Sequence, residues 1–265
     1  MFQGTHPTLG RIRQRWTLMA VRSPRTYKSA GLQLDAERCR RDPHYFVFHS
    51  GLVTKDEHDQ QAPMKPIPDT PNRRSFLDCL LVASHMMKPE DARWARQAGH
   101  TELWLQALNN SGLFMTEKSR QVMATWICCA WMLWVAKYQA HRLILVQSKR
   151  EDDAAALVFT KDPFFARISF MEHHLPAHLR TLTFPKAGAY GHLYFPNGSH
   201  IWAIPEGGDI IRSQTPSIVF SDEAAFQPEF GAALSAALPA IKGGGCFVGI
   251  SSAEPGAFQE LVEAA

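Results

Sequence analysis

Residues 112–126 read GLFMTEKSRQVMATW: a short apolar run, a basic loop, then the opening of a long hydrophobic segment. In an α/β protein that order predicts a buried strand, a connection at its carboxyl end, and a helix. A nucleotide-binding loop would sit in that connection, yet the usual pattern G-x-x-x-x-G-K-[ST] fits only at Thr125. Lys118 occupies the first glycine slot, Met123 the second, and Ala124 stands where the lysine is expected. The helix start still offers free backbone N–H groups and a positive dipole end to a phosphate. Thr125 supplies a hydroxyl suited to Mg²⁺. Ala124 brings no cation, whereas Lys118 can reach across from the other lip and Arg120 can make a bidentate contact. A basic loop before a helix also occurs as a solvated connection, so this stretch alone leaves both readings open.

Working outward, residues 125–138 read as a helix, 142–147 (RLILVQ) as a buried strand and 151–159 as the helix after it. A strand is expected at 181–184, then a hairpin through 192–195 and 200–204 with Pro196, Asn197, Gly198 and Ser199 as its turn. Strands at 217–221 and 246–251 (CFVGIS) flank a helix at 230–238. Upstream, 74–87 and 92–109 have helical spacing of apolar residues, interrupted by Pro89 and Gly99. Continuously apolar strands alternating with helices predict a mainly parallel sheet covered on both faces, a three-layer α/β fold.

The chain has 265 residues, enough for one large domain with a sizeable core. Its composition, 45% hydrophobic and 20% charged, is that of a soluble globular protein, and the net charge of +3 permits a nucleic-acid partner without arguing for one. Residues 127–136, the most apolar stretch, fall short of the ~20 needed to span a membrane. Cys39, Cys79, Cys128, Cys129 and Cys246 form no C-x-x-C pair, which reads as reduced buried thiols of a cytosolic protein. Residues 1–30 carry Arg11, Arg13, Arg15, Arg22, Arg25 and Lys28 with no acidic residue. Both a solvated arm and a DNA- or partner-binding tail fit that pattern.

Two further stretches bear chemistry. Residues 217–226, SIVFSDEAAF, end an apolar strand in Asp222 and Glu223. Carboxylates at the tip of a buried strand are costly unless they serve something there. Asp222 suits a Mg²⁺ ion and Glu223 the attacking water of a phosphoanhydride hydrolysis. An acidic pair opening a helix is the other reading. Residues 248–256, VGISSAEPG, end a strand in Ser251 and Ser252, which could sense a terminal phosphate. Glu172, His173 and His174 lack a second pair at ligand spacing and read as a solvated turn. Trp126, Trp131 and Trp134 read as core or interface packing, and Ser119 lacks the elbow of a serine nucleophile.

In order and wording these motifs resemble the ATPase domain of the large terminase subunit of tailed bacteriophages, from residue 38 to the end of the chain. That family's deviant first motif, K-S-R-x-x-G-x-[ST]-W, is matched by Lys118, Ser119, Arg120, Gln121, Thr125 and Trp126. RDPHYFV (41–47) with TKDEHD (54–59) looks like its pre-motor segment, and residues 196–226 look like its run into Walker B. The resemblance implies a RecA-like P-loop NTPase of the additional-strand, catalytic-glutamate type that binds ATP and Mg²⁺. It implies a nucleotide loop of Lys118, Ser119, Arg120, Gln121, Val122, Met123, Ala124 and Thr125, with Lys118 and Arg120 on the phosphates. Thr125 and Asp222 would hold the metal, Glu223 would be the catalytic carboxylate, and Ser251 and Ser252 would couple hydrolysis to movement. Arg212, or else Arg150, would be an arginine finger. The implied layout is a basic arm at 1–36, a pre-motor or lid segment at 37–110 and a nucleotide-binding core at 111–265. The family's nuclease domain is expected to be absent, and with it DNA cleavage. Implied partners are double-stranded DNA, a portal-bearing prohead, the small terminase subunit and further copies in a ring, in the host cytoplasm. Met123 departs from the family's glycine, so its side chain is expected to crowd the nucleotide or redirect the loop. A helicase-like ATPase and a catalytically weakened nucleotide-binding module are the competing readings.

Overall fold

The computed structural model describes residues 24–56, 62–97, 101–109, 112–119, 122–162, 164–182 and 188–264. Its first elements form a layer over the sheet: helices α1 (Pro24–Arg41) and α2 (Pro43–His49), a small antiparallel pair β1 (Val53–Thr54) and β2 (Lys65–Pro66), then α3 (Pro71–Ala83), α4 (Arg93–Gln97) and α5 (Thr101–Asn109). Proline at the first helical position and a side-chain cap start α2 and α3: Asp42 accepts from the Tyr45 N–H, and Thr70 from that of Arg73. Helix α1 takes in residues 24–36 of the stretch read as an arm and runs on to Arg41; residues 1–23 lie outside the described residues.

The central sheet takes its strands from the apolar runs. These are β3 (Leu113–Glu117), β4 (Leu143–Gln147), the short β5 (Gly188–Ala189) and β6 (His192–Tyr194), β7 (His200–Ala203), β8 (Ile218–Asp222) and β9 (Cys246–Ser251). Their order is β3-β9-β8-β4-β7-β6-β5, parallel from β3 to β7 and antiparallel in the terminal hairpin. Strand β9 lies between β3 and β8, so an additional strand separates β3, which Lys118 follows, from the strand that ends in Asp222. Of the strand expected at 181–184, Thr181 and Leu182 are irregular, and residues 183–187 lie outside the described residues.

The pleat sends alternate residues to opposite faces. Phe114, Ile144, Val146, Ile218, Phe220, Val248 and Ile250 join α6 (Ala124–Tyr138), α7 (Glu151–Val158) and α8 (Arg167–His174) in one core. Met115, Leu145, Val219 and Phe247 face a second core built with α9 (Asp209–Ser213), α10 (Phe230–Lys242) and α11 (Ala257–Ala264). Burial on both faces is why these strands read as unbroken apolar runs. The result is the expected three-layer α/β fold.

Helix α6 is buried along nearly its whole length, with Trp126, Trp131 and Trp134 all in the core. Its carboxyl end is closed from outside: the Asn197 amide, from the hairpin turn, donates to the carbonyls of Ala136, Lys137 and Gln139. Nearby, Lys137 is fully buried and donates to Glu172 Oε2 and the Leu179 carbonyl, each at 2.8 Å. Glu172 also accepts from the N–H groups of Thr181 and Leu182, so this ion pair pins α6, α8 and the following loop together. Residues 172–174 thus end a helix, with Glu172 buried, and do not form the solvated turn expected; among the described residues no group of three or more His, Cys, Asp or Glu side chains could hold a metal. All five cysteines are buried and none is in a disulfide, and no helix among the described residues is long and apolar enough to cross a membrane. Burial pushes the Cys39, Cys79 and Cys246 thiols up to about 12, so they stay protonated and inert.

Candidate active site

At the carboxyl edge of β3, β9 and β8, segments distant in sequence converge. Lys118 follows β3 directly, and its backbone N–H donates to the Ser251 carbonyl at 2.7 Å, extending the β3–β9 pairing by one bond. Its Nζ donates to Glu223 Oε1 at 2.8 Å. The loop then leads to α6, whose first turn presents Thr125, and Thr125 Oγ1 donates to Asp222 Oδ1 at 3.2 Å. Four residues expected at one site are thus brought together, and Ser252 joins them, its Oγ 3.4 Å from Glu223 Oε2.

Backbone geometry explains how the loop manages without its glycine. Met123 precedes α6 with φ 65° and ψ 17°, the left-handed conformation that glycine adopts readily. The chain therefore follows a glycine-type turn at this position, against a steric penalty of roughly 1–2 kcal/mol for a residue with a Cβ. The Met123 side chain is partly buried against the core. Ala124 is buried within the helix start, while Ser119 and Val122 are exposed. Arg120 and Gln121 lie outside the described residues.

Glu223 is left-handed too, with φ 52° and ψ 43°. The turn ends β8 abruptly and separates the two carboxylates: Asp222 is buried, and the Glu223 side chain is more than a third exposed. Gln227 braces the turn, its Nε2 donating at 2.9 Å both to the Asp222 carbonyl and to Ser221 Oγ. Strained backbone persists only where surrounding contacts over-determine it, and such positions cluster at functional sites.

Burial raises the Asp222 carboxyl to about 6, against the pull of Arg167, Lys118 and the Thr125 hydroxyl. Arg167, the first residue of α8, places Nη1 3.7 Å from Asp222 Oδ2 and its guanidinium 5.5 Å over the Trp126 ring. Sequence reasoning missed both Arg167 and Gln227. Neither carries a spacing signal, because each is defined only by what the fold brings beside it.

The remaining expected residues stand apart or lack partners. Ser251 is fully buried at the end of β9, and its Oγ has no protein partner. Arg212 pairs with Asp209 within α9 and is more than half exposed, outside the Lys118–Glu223 cluster. Arg150 is the exposed residue that precedes α7.

No protein-family model matches the chain, and no curated protein matches it. Solved structures do. The large terminase of bacteriophage HK97 superposes with a TM-score of 0.50 at 14% identity, over 82% of this chain and 37% of that one. The large terminase ATPase domain of Thermus phage P74-26 gives a TM-score of 0.35 at 15% identity, over 56% of this chain and 62% of that one. The large terminase of another thermophilic bacteriophage gives 0.35 at 13%, over 66% and 38%. The chain therefore spans little more than a third of the HK97 protein, and over most of its own length it has the fold of that large terminase.

Proposed function

We propose that this chain is the ATP-hydrolysing motor domain of a viral terminase large subunit, whose turnover drives double-stranded DNA into a prohead. The observation that carries the reading is the 2.8 Å contact between Lys118 Nζ and Glu223 Oε1, groups 105 residues apart in sequence. One nucleotide at the start of α6 would meet both. In this reading residues 111–265 are the nucleotide-binding core and 37–110 the segment that precedes it.

The Lys118–Glu223 contact bears on the chemistry. Phosphates seated at the amino end of α6 are held by its free N–H groups and compete with Glu223 for the Lys118 ammonium. Once Lys118 turns to phosphate, Glu223 becomes an unpaired carboxylate able to take a proton from the attacking water. Ser252 touches that carboxylate, and the neighbouring Ser251 carbonyl holds the Lys118 backbone, so β9 is linked to both partners. Loss of the terminal phosphate would be felt along that strand. Mg²⁺ suits the donor set of Thr125 Oγ1 and Asp222, both hard oxygens, and burial leaves the Asp222 charge in need of a cation. When bound, the ion would neutralise charge on the phosphate oxygens. In this reading Arg212, exposed on α9, would serve a neighbouring copy in a ring rather than its own site.

Binding and turnover are tested separately. Glu223→Gln should retain ATP binding by calorimetry and lose hydrolysis; persistent turnover defeats the assignment. Lys118→Ala should weaken binding while Ala124→Ser matters little, and the reverse result would refute the relocated lysine. Stimulation of ATPase activity by a portal-bearing prohead, and not by single-stranded DNA, separates the packaging motor from a helicase-like enzyme.

A further inference from the structure

Gln227 lies outside every motif, yet it is buried and bonded to the strand end that carries both carboxylates. Its Nε2 donates to the Asp222 carbonyl and to Ser221 Oγ, each at 2.9 Å. A carbonyl can only accept, so the nitrogen of the amide and not its oxygen must face Asp222. Gln227 is itself fixed through its backbone. Its N–H donates to the Ala224 carbonyl at 3.2 Å, and its carbonyl accepts from the Phe230 N–H, also at 3.2 Å, at the start of α10. The side chain therefore reaches back from a short, anchored loop.

What this contact holds is the backbone beside Glu223. A peptide unit is planar, so a bond to the Asp222 carbonyl orients the whole plane between residues 222 and 223. The next plane is held as well, because the Glu223 carbonyl accepts from the Phe226 N–H at 3.0 Å. With both planes fixed, Glu223 stays at φ 52° and ψ 43°, and the direction of its Cα–Cβ bond follows. From that direction its carboxylate meets Lys118 Nζ at 2.8 Å. An unconstrained glutamate prefers the right-handed or extended regions, where the side chain would leave the strand end along another line. Successive side chains of β8 point to opposite faces, so Ser221 faces away from Asp222, which Thr125 of α6 touches. Gln227, bonded to Ser221, acts from that far face, away from the start of α6.

We infer that Gln227 is the positioning residue for Glu223. It holds the left-handed turn that aims the carboxylate, and so governs turnover while contributing little to nucleotide affinity. This rests on the reading of Glu223 as the group that serves the attacking water, and the two are separable by experiment.

The test compares the full chain with Gln227→Met, which keeps the length of the stem and removes both donors, in steady-state ATP hydrolysis and in calorimetric titration with ATPγS and Mg²⁺. The variant's kcat should fall by about tenfold or more, while KM for ATP and ATPγS affinity change by less than about threefold. Hydrogen exchange gives a readout independent of turnover: amides of residues 223–227 should exchange about fivefold faster or more, with those of α6 unchanged. An unchanged kcat, or unchanged exchange in that segment, overturns the inference and leaves the ATPase reading intact. A loss of affinity as large as the loss of kcat also overturns it, because Gln227 would then shape the whole nucleotide site. Circular dichroism and melting check folding. If Gln227→Met does not fold, Gln227→Asn decides, its amide being one methylene short of the two acceptors. A lowered kcat at parental ATPγS affinity supports the inference, and a parental kcat overturns it. A parent that binds ATPγS yet hydrolyses no ATP overturns the role given to Glu223 and the inference with it.

Discussion

Replacing Asp222 with asparagine should stabilise the nucleotide-free protein while removing its activity. Burial raises this carboxyl to about 6 from an ordinary value of 3.8, even with Arg167 and Lys118 pulling the other way. The folded state therefore holds its proton more tightly than the unfolded state does, and stability falls as pH rises from about 3.8 to about 6. Above that window the ionised carboxylate lowers stability by about 3 kcal/mol, from roughly two pKa units at 1.36 kcal/mol each. Asparagine has nearly the same shape, can still accept from Thr125, and carries no charge to desolvate. The gain over the parent should be about 3 kcal/mol near pH 8, about half of that near pH 5, and close to zero below about pH 4. Urea unfolding at each pH, followed by circular dichroism, measures it. A variant no more stable than the parent near pH 8, or a gap that does not shrink on acidification, would refute the claim that this site holds a destabilising charge for a cation to complete. The trade of stability for activity is the one expected where a buried charge is retained for chemistry.

Two other predictions test the supports of the site. Met123→Gly should raise stability by up to about 1 kcal/mol, since relief of a left-handed residue is partly offset by lost side-chain packing, while Met123→Val should lower it by at least as much. Denaturant midpoints for the two variants must fall on opposite sides of the parent; the same sign for both would show that the turn is not strained. Lys137→Met removes the cation that Glu172 meets in the core and should cost about 3–5 kcal/mol. A loss under about 1 kcal/mol in the same assay would mean that the pair does not anchor α6 to α8.

Much of the fold was legible because periodicity is local. The strand expected at 246–251 is β9 as observed, and the hairpin around Gly198 forms with Gly198 at φ 80°. Helix ends were less legible: α10 continues to Lys242, past the expected end at 238 and through Pro239. Packing against the second core decides that end, and packing is not written in propensity. In the loop, a methionine where glycine was expected disguised a backbone that turns as glycine would. Conformation at such a position is imposed by the strand and helix it joins, so residue identity alone misleads.

By itself the sequence determined the alternation of buried strands and helices, and which side chains end those strands, because both follow from spacing along the chain. Only the tertiary structure decided which strand ends become neighbours. With β9 inserted between β3 and β8, Lys118 meets Glu223, Thr125 meets Asp222, and an arginine from α8 joins them. Such contacts depend on strand order and on the direction each side chain takes from its turn, and these are set by long-range burial.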